Sequence, residues 1–207
     1  MDRRNFIRYS AISGGSGLVG LAIGGLAGLT VGYNLRVEDA LGQPKENKPS
    51  IGDVATDFQL KGLDGKVHQL SQHRGKPVVL NFWETWCRYC KEEMPKLHQM
   101  TQLYGDRVVV LAITRDDLKN TAKYIKQNGF NSFAVLLDED RRTFGEYNVL
   151  SIPRTFVIDA DGQIVEYNRG TTDFTNPNEP IRQAIDSLLP EKEPKNPRKR
   201  RLLQGLA

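Results

Sequence analysis

The sequence predicts an α/β domain with a central mixed sheet and helices on both faces. Three observations carry this reading. Short runs of β-branched and aromatic residues occur, such as PVVLNFW at 77–83; apolar residues at helical spacing separate those runs; and Asp161-Gly162 joins two more short strands near the end. Apolar strands alternating with helices imply a parallel centre buried on both faces, with the hairpin adding an antiparallel edge.

The elements follow in order. Residues 58–60 and 67–70 flank Gly62-Leu63-Asp64-Gly65 and read as a short hairpin. Residues 77–83 form a buried-strand pattern. Residues 92–104 place Met94, Leu97, Met100, Leu103 and Tyr104 on one helical stripe. Residues 108–113 are a second apolar strand, and 118–128 a helix closed by Gly129, a residue suited to a left-handed cap. A third strand is expected at 133–137 and a short helix at 141–147. The last hairpin pairs 155–158 with 164–167, and a closing helix runs over 181–189. There is no internal repeat.

This places one folded domain at 51–189. Residues 34–50 (NLRVEDALGQPKENKPS) lack periodicity and read as a linker. Residues 190–207 carry no core-forming pattern and read as a basic disordered tail. At the amino terminus, Arg3-Arg4-Asn5-Phe6-Ile7-Arg8 precedes an uncharged run at 11–33, long enough to span a bilayer with some tilt. This opening resembles the twin-arginine export signal, so residues 1–33 are expected to be a signal or membrane anchor. Three arginines before the run put its start in the cytoplasm and everything after it outside. Val37-Glu38-Asp39-Ala40 is a poor small-residue cleavage site, which favours an uncleaved anchor. The expected location is therefore a bacterial inner membrane, crossed once, with the folded domain on the extracytoplasmic side.

Charge excludes one class of partner. The formal net charge of +4 belongs to the ends, because residues 51–189 hold 17 Lys/Arg against 19 Asp/Glu. No basic stripe with interleaved aromatics crosses the domain, so nucleic acid is not expected as a partner.

The only two cysteines, Cys87 and Cys90, lie three positions apart in NFWETWCRYCKEEMP, between a strand and a helix. A disulfide between them closes a tiny loop, and such cross-links stabilise little through the unfolded state. A structural zinc needs four ligands, and His68, His73 and His98 have no compact ligand spacing. A dithiol that cycles remains. At a helix amino terminus the free N–H groups and the dipole favour thiolate, so Cys87 is the expected nucleophile and Cys90, one turn further in, the resolving thiol. Arg88 is expected to push the same way by its charge. No metal is expected, and no cofactor beyond the redox-active Cys87–Cys90 disulfide.

WETWCRYC at 83–90, Ile51-Gly52-Asp53 ahead of the first hairpin, and IPRTFVID at 152–159 together resemble the TlpA/ResA-like branch of the thioredoxin family, over about residues 51–189. The resemblance implies a thioredoxin-like fold and a cis Ile152-Pro153 peptide facing the dithiol, with the Ile152 backbone available to an extended substrate. It makes Cys87, Cys90, Pro153 and Glu93 the candidate catalytic set, and Trp86, Arg88, Tyr89 and Ile152 the candidate substrate-binding set. Glu93 matches an acidic position that tunes the dithiol in the family; an ordinary first-turn glutamate favoured by the dipole is the competing reading.

Three departures stand out. Asn81 replaces a buried Asp often found on the strand before the motif, Glu84 replaces a small residue, and Tyr89 replaces a common proline. Together they leave the redox poise open. The implied function is reduction of protein disulfides, with apocytochrome c as a family-typical client and a transmembrane thiol relay as electron donor. Two alternatives sit on neighbouring folds. The IGDVATDFQL opening resembles peroxiredoxins, whose Pro-x-x-x-Thr-x-x-Cys segment this chain lacks. A copper-delivery module would use a wider cysteine spacing and a histidine far downstream, and none follows His98.

Overall fold

The computed structural model describes residues 49–189. The expected membrane segment at 1–33, most of the linker at 34–50 and the tail at 190–207 lie outside the described residues. Among the described residues no helix is long and apolar enough to cross a membrane.

Within the described residues seven strands and four α-helices succeed one another: β1 (Gln59–Gly62), β2 (Val67–Gln69), β3 (Val78–Phe82), α1 (Arg88–Tyr104), β4 (Val109–Thr114), α2 (Leu118–Asn128), β5 (Ala134–Leu137), α3 (Arg142–Glu146), β6 (Arg154–Ile158), β7 (Ile164–Arg169) and α4 (Pro180–Ser187). They form one mixed sheet in the order β2-β1-β5-β4-β3-β6-β7. β3, β4 and β5 are parallel neighbours. β6 runs antiparallel to β3, and β7 to β6. On the other side β1 runs antiparallel to both β2 and β5. The sequence predicted an antiparallel edge from the second hairpin, and the structure has one on each side. The first hairpin's half-exposed residues gave no sign of which strand they would join.

Alternation along the strands sorts residues to two cores. β3 and β6 are buried along their whole length, as strands covered on both faces must be. Val79 and Trp83 face a cluster shared with Met94 and Leu97 of α1 and Ile181 and Ile185 of α4; Tyr124 and Ile125 of α2 pack against it. Leu80 and Phe82 face the opposite cluster, with Phe144 of α3, Tyr147 and Phe156. Each such fully buried side chain contributes roughly 1.5–3 kcal/mol. The Tyr147 hydroxyl donates to the Thr56 carbonyl at 2.7 Å, which fastens the amino-terminal segment over the second core.

Local chemistry fixes the element ends. α2 begins at an Asp117 cap that accepts from the Asn120 N–H and ends at Gly129, whose φ of 68° is left-handed, as its glycine predicts. Gly162, at φ 88°, closes the turn between β6 and β7. α1 starts at Arg88, a full turn before the residue 92 start that periodicity suggested. The reason lies in its cap, which is Cys87.

Candidate active site

Cys87 is the N-cap of α1, with extended backbone, and its Sγ accepts the Cys90 N–H at 3.1 Å. Sulfur here takes the place of the usual Ser or Thr oxygen, receiving a donor that the first helical turn leaves unsatisfied. Cys87 and Cys90 are joined as a disulfide with their Cα atoms 5.2 Å apart. Their settings differ. Cys90 is 1% exposed, while Cys87, at 6%, borders a groove whose walls are formed by Trp86, Tyr89, Leu150 and Ile152. Trp86, Tyr89 and Leu150 are large, apolar and exposed.

Ile152-Pro153 is a cis peptide on the loop entering β6. The Ile152 carbonyl lies 3.9 Å from Cys87 Sγ, and the Pro153 carbonyl is held by the Gly170 N–H at 2.9 Å. The backbone of Ile152 thus borders the Cys87 sulfur.

Behind the dithiol sits a closed polar cluster. Pairing of β3 with β6 sets Asn81 opposite Thr155, and α1 brings Glu93 over both. Glu93 is 1% exposed. Its Oε1 accepts from Asn81 Nδ2 at 2.6 Å and its Oε2 from the Thr172 N–H at 2.9 Å. Asn81 Nδ2 also donates to Thr155 Oγ1 at 3.1 Å. Burial raises the Glu93 carboxyl to about 7, against the pull of its hydrogen bonds and of Lys96. A first-turn surface glutamate would be wet; this one is enclosed on the same helix as the dithiol. The position vacated by the acid at 81 is filled by an amide that holds this other acid in place.

Arg88 lines the groove beside Cys87 and is itself paired. Its Nε binds Glu92 Oε1 at 3.0 Å along the solvent face, one turn further on, with the side chain 85% exposed. Glu84 is not a free negative charge at the groove either. It is buried, and Oε1 accepts from Arg115 Nε at 2.6 Å. Sequence reasoning missed Arg115 and Thr172. A charged residue at the carboxyl end of a central apolar strand was the available signal for Arg115; Thr172 meets Glu93 through its backbone alone and left none.

The profile of the AhpC/TSA family matches residues 51–167. The chain belongs to the AhpC/TSA family. Within it, the thiol-disulfide oxidoreductase ResA of Geobacillus thermodenitrificans is 34% identical over 143 residues, covering 68% of this chain and 79% of that protein. A candidate thiol:disulfide interchange protein DsbE from Chlorobium tepidum superposes with a TM-score of 0.63 at 30% identity, over 69% of this chain and all of that one. The exposed lipoprotein thioredoxin Etrx1 of Streptococcus pneumoniae gives 0.57 at 29% identity, over 64% of this chain and all of its own. The resemblance to the ResA branch and the thioredoxin-like fold are thereby borne out, and this AhpC/TSA-family chain is a thiol:disulfide oxidoreductase.

Proposed function

We propose that the chain is a membrane-anchored, extracytoplasmic protein-disulfide reductase in which Cys87 attacks and Cys90 resolves. One observation carries the assignment of roles: the Cys87 sulfur borders an open apolar groove and receives a helix N–H, whereas Cys90 is enclosed behind it. In the reduced protein that same N–H and the helix dipole favour the Cys87 thiolate. The thiolate attacks one sulfur of a client disulfide; a mixed disulfide forms and the other client sulfur leaves as thiolate, taking a proton. Cys90, losing its proton, then attacks Cys87 Sγ. The second client thiol departs and the Cys87–Cys90 disulfide closes, so two electrons pass from the protein to the client. Trp86, Tyr89 and Ile152 line the path of the client, and the enclosed Glu93 carboxyl, raised to about 7 by burial, places a group that changes charge near neutrality on the same helix as the dithiol.

The anchor rests on the uncharged run at 11–33 behind its arginines. An outward-facing reductant needs electrons from across the membrane, hence a transmembrane thiol relay as donor. Apocytochrome c, whose haem-attachment cysteines can pair, is the proposed client. A peroxidase reading has less support. Its Pro-x-x-x-Thr-x-x-Cys segment would put proline at 80 and threonine at 84, where this chain has Leu80 and Glu84. Leu80 lies in mid-strand between β4 and β6, where a proline would cost a ladder hydrogen bond.

The reduction potential of the Cys87–Cys90 couple tests the direction. Equilibration against glutathione and dithiothreitol buffers should give a value near or below about −250 mV, toward the thioredoxin end of the range. A value near about −120 mV would make the chain a donor of disulfides and overturn the reductase reading.

A further inference from the structure

Arg115 immediately follows β4, at the carboxyl end of the parallel strands, where open α/β sheets place their ligands. It lines the groove beside Cys87, together with Trp86 and Leu150. Two contacts fix it. Glu84 accepts from Nε at 2.6 Å, and the guanidinium lies over the Phe144 ring with its carbon 4.3 Å from the centroid. A planar group held by one edge and one face has its orientation set in advance. Neither contact occupies the terminal Nη1 and Nη2 groups, and the side chain keeps 29% of its exposure.

The neighbouring charges are engaged elsewhere. The Glu84 carboxylate faces Arg115 and is itself buried. Asp116 accepts the Thr85 N–H at 2.5 Å. Arg88, also lining the groove, is bonded to Glu92. Arg115 thus brings to the lining of the groove beside Cys87 a fixed guanidinium whose terminal nitrogens bind neither Glu84 nor a ring. The guanidinium fork matches the two oxygens of a carboxylate.

We propose that Arg115 is a specificity-determining residue, taking the carboxylate of an Asp or Glu that the client carries close in sequence to the cysteine attacked by Cys87. The inference rests on the reductase reading of the groove and names the client chemistry within it. Glu84 acts on the client only through Arg115, as the positioning residue of the pair.

The test uses the prereduced full chain and a set of peptide disulfides differing only by Glu or Gln at each of the three positions on either side of one cysteine. At one position or more, Glu should raise kcat/KM by about tenfold, chiefly through KM, the size of a charge-assisted hydrogen bond. Raising the salt concentration should shrink that ratio. In R115Q the ratio should fall toward one, and in R115K to an intermediate value, since a lysine keeps the charge and loses the fork. Equal rates for Glu and Gln peptides at every position in the wild type would overturn this proposal and leave the reductase reading standing. A preference that persists undiminished in R115Q would also overturn it. Failure to reduce any peptide would overturn both.

Discussion

On its inner side the helix faces a buried cluster of polar groups bonded to one another, whereas beside Cys87 it faces an open groove with exposed apolar side chains. On the closed side Glu93, Asn81, Thr155 and the Thr172 backbone bind one another. On the open side Trp86, Tyr89 and Leu150 are covered by nothing in the domain. In the proposed function the two sides divide the work. Polar groups cut off from water respond strongly to a proton, so the closed side governs acid–base behaviour. Apolar surface exposed to water gains by burial, so the open side governs what is bound. Cys87, as the cap of α1, belongs to both.

The contrast can be broken from the closed side first. Glu93→Ala removes the acceptor of both Asn81 Nδ2 and the Thr172 N–H and leaves a void between α1 and the sheet. A loss of about 2–4 kcal/mol is expected in urea unfolding of the oxidised protein. Glu93→Gln fills the void and isolates the charge. Because the folded carboxyl lies near 7, above its ordinary 4.5, the group favours folding while protonated. That contribution is fully present below about pH 4.5 and is lost as pH rises toward 7, on the order of 3 kcal/mol in all. Urea midpoints of wild type minus E93Q should fall across that window and level off above it. A difference that does not vary with pH would mean that the carboxylate is not held neutral by burial.

A smaller effect is expected from Asn81→Asp, which sets a second carboxyl 2.6 Å from the first. Two like charges at that distance cannot both ionise, so the pair should hold a shared proton past neutrality. Destabilisation of about 2 kcal/mol at pH 8, shrinking at pH 5, is expected from the same unfolding experiment. On the open side Trp86→Ala should leave thermal stability unchanged, because the ring is 67% exposed, while raising KM for a peptide disulfide by about threefold to tenfold. A drop in melting temperature with unchanged KM would remove Trp86 from the client path.

The same division explains what was legible in the sequence. β3, β4 and β6 are buried over nearly all their length, and the apolar residues at 78–80, 109–113 and 156–158 announce them. α1 was found from Met94 onward because its inner stripe is apolar there, but its first turn holds the dithiol and is capped by sulfur, which no hydrophobic period records. The dithiol's spacing and its place between strand and helix pointed to thiol chemistry directly. Its partners did not appear, because they arrive by strand pairing and chain reversal: Asn81 and Glu93 are 12 positions apart, Glu93 and Thr172 79. Glu84 read as an odd charge until Arg115, 31 positions on, supplied its counter-ion. Arg88 read as an electrostatic aid because it is adjacent in sequence; on the helix its neighbour is Glu92.

The division of roles between an open Cys87 and an enclosed Cys90 is tested most directly by trapping. Cys90→Ser and Cys87→Ser, each incubated with a protein disulfide and quenched with acid and alkylating agent, are compared by non-reducing electrophoresis and mass spectrometry. Cys90→Ser should accumulate a mixed disulfide through Cys87, and Cys87→Ser should accumulate little, because its remaining thiol lies behind the groove. Equal trapping by the two variants would contradict the assignment of the attacking sulfur.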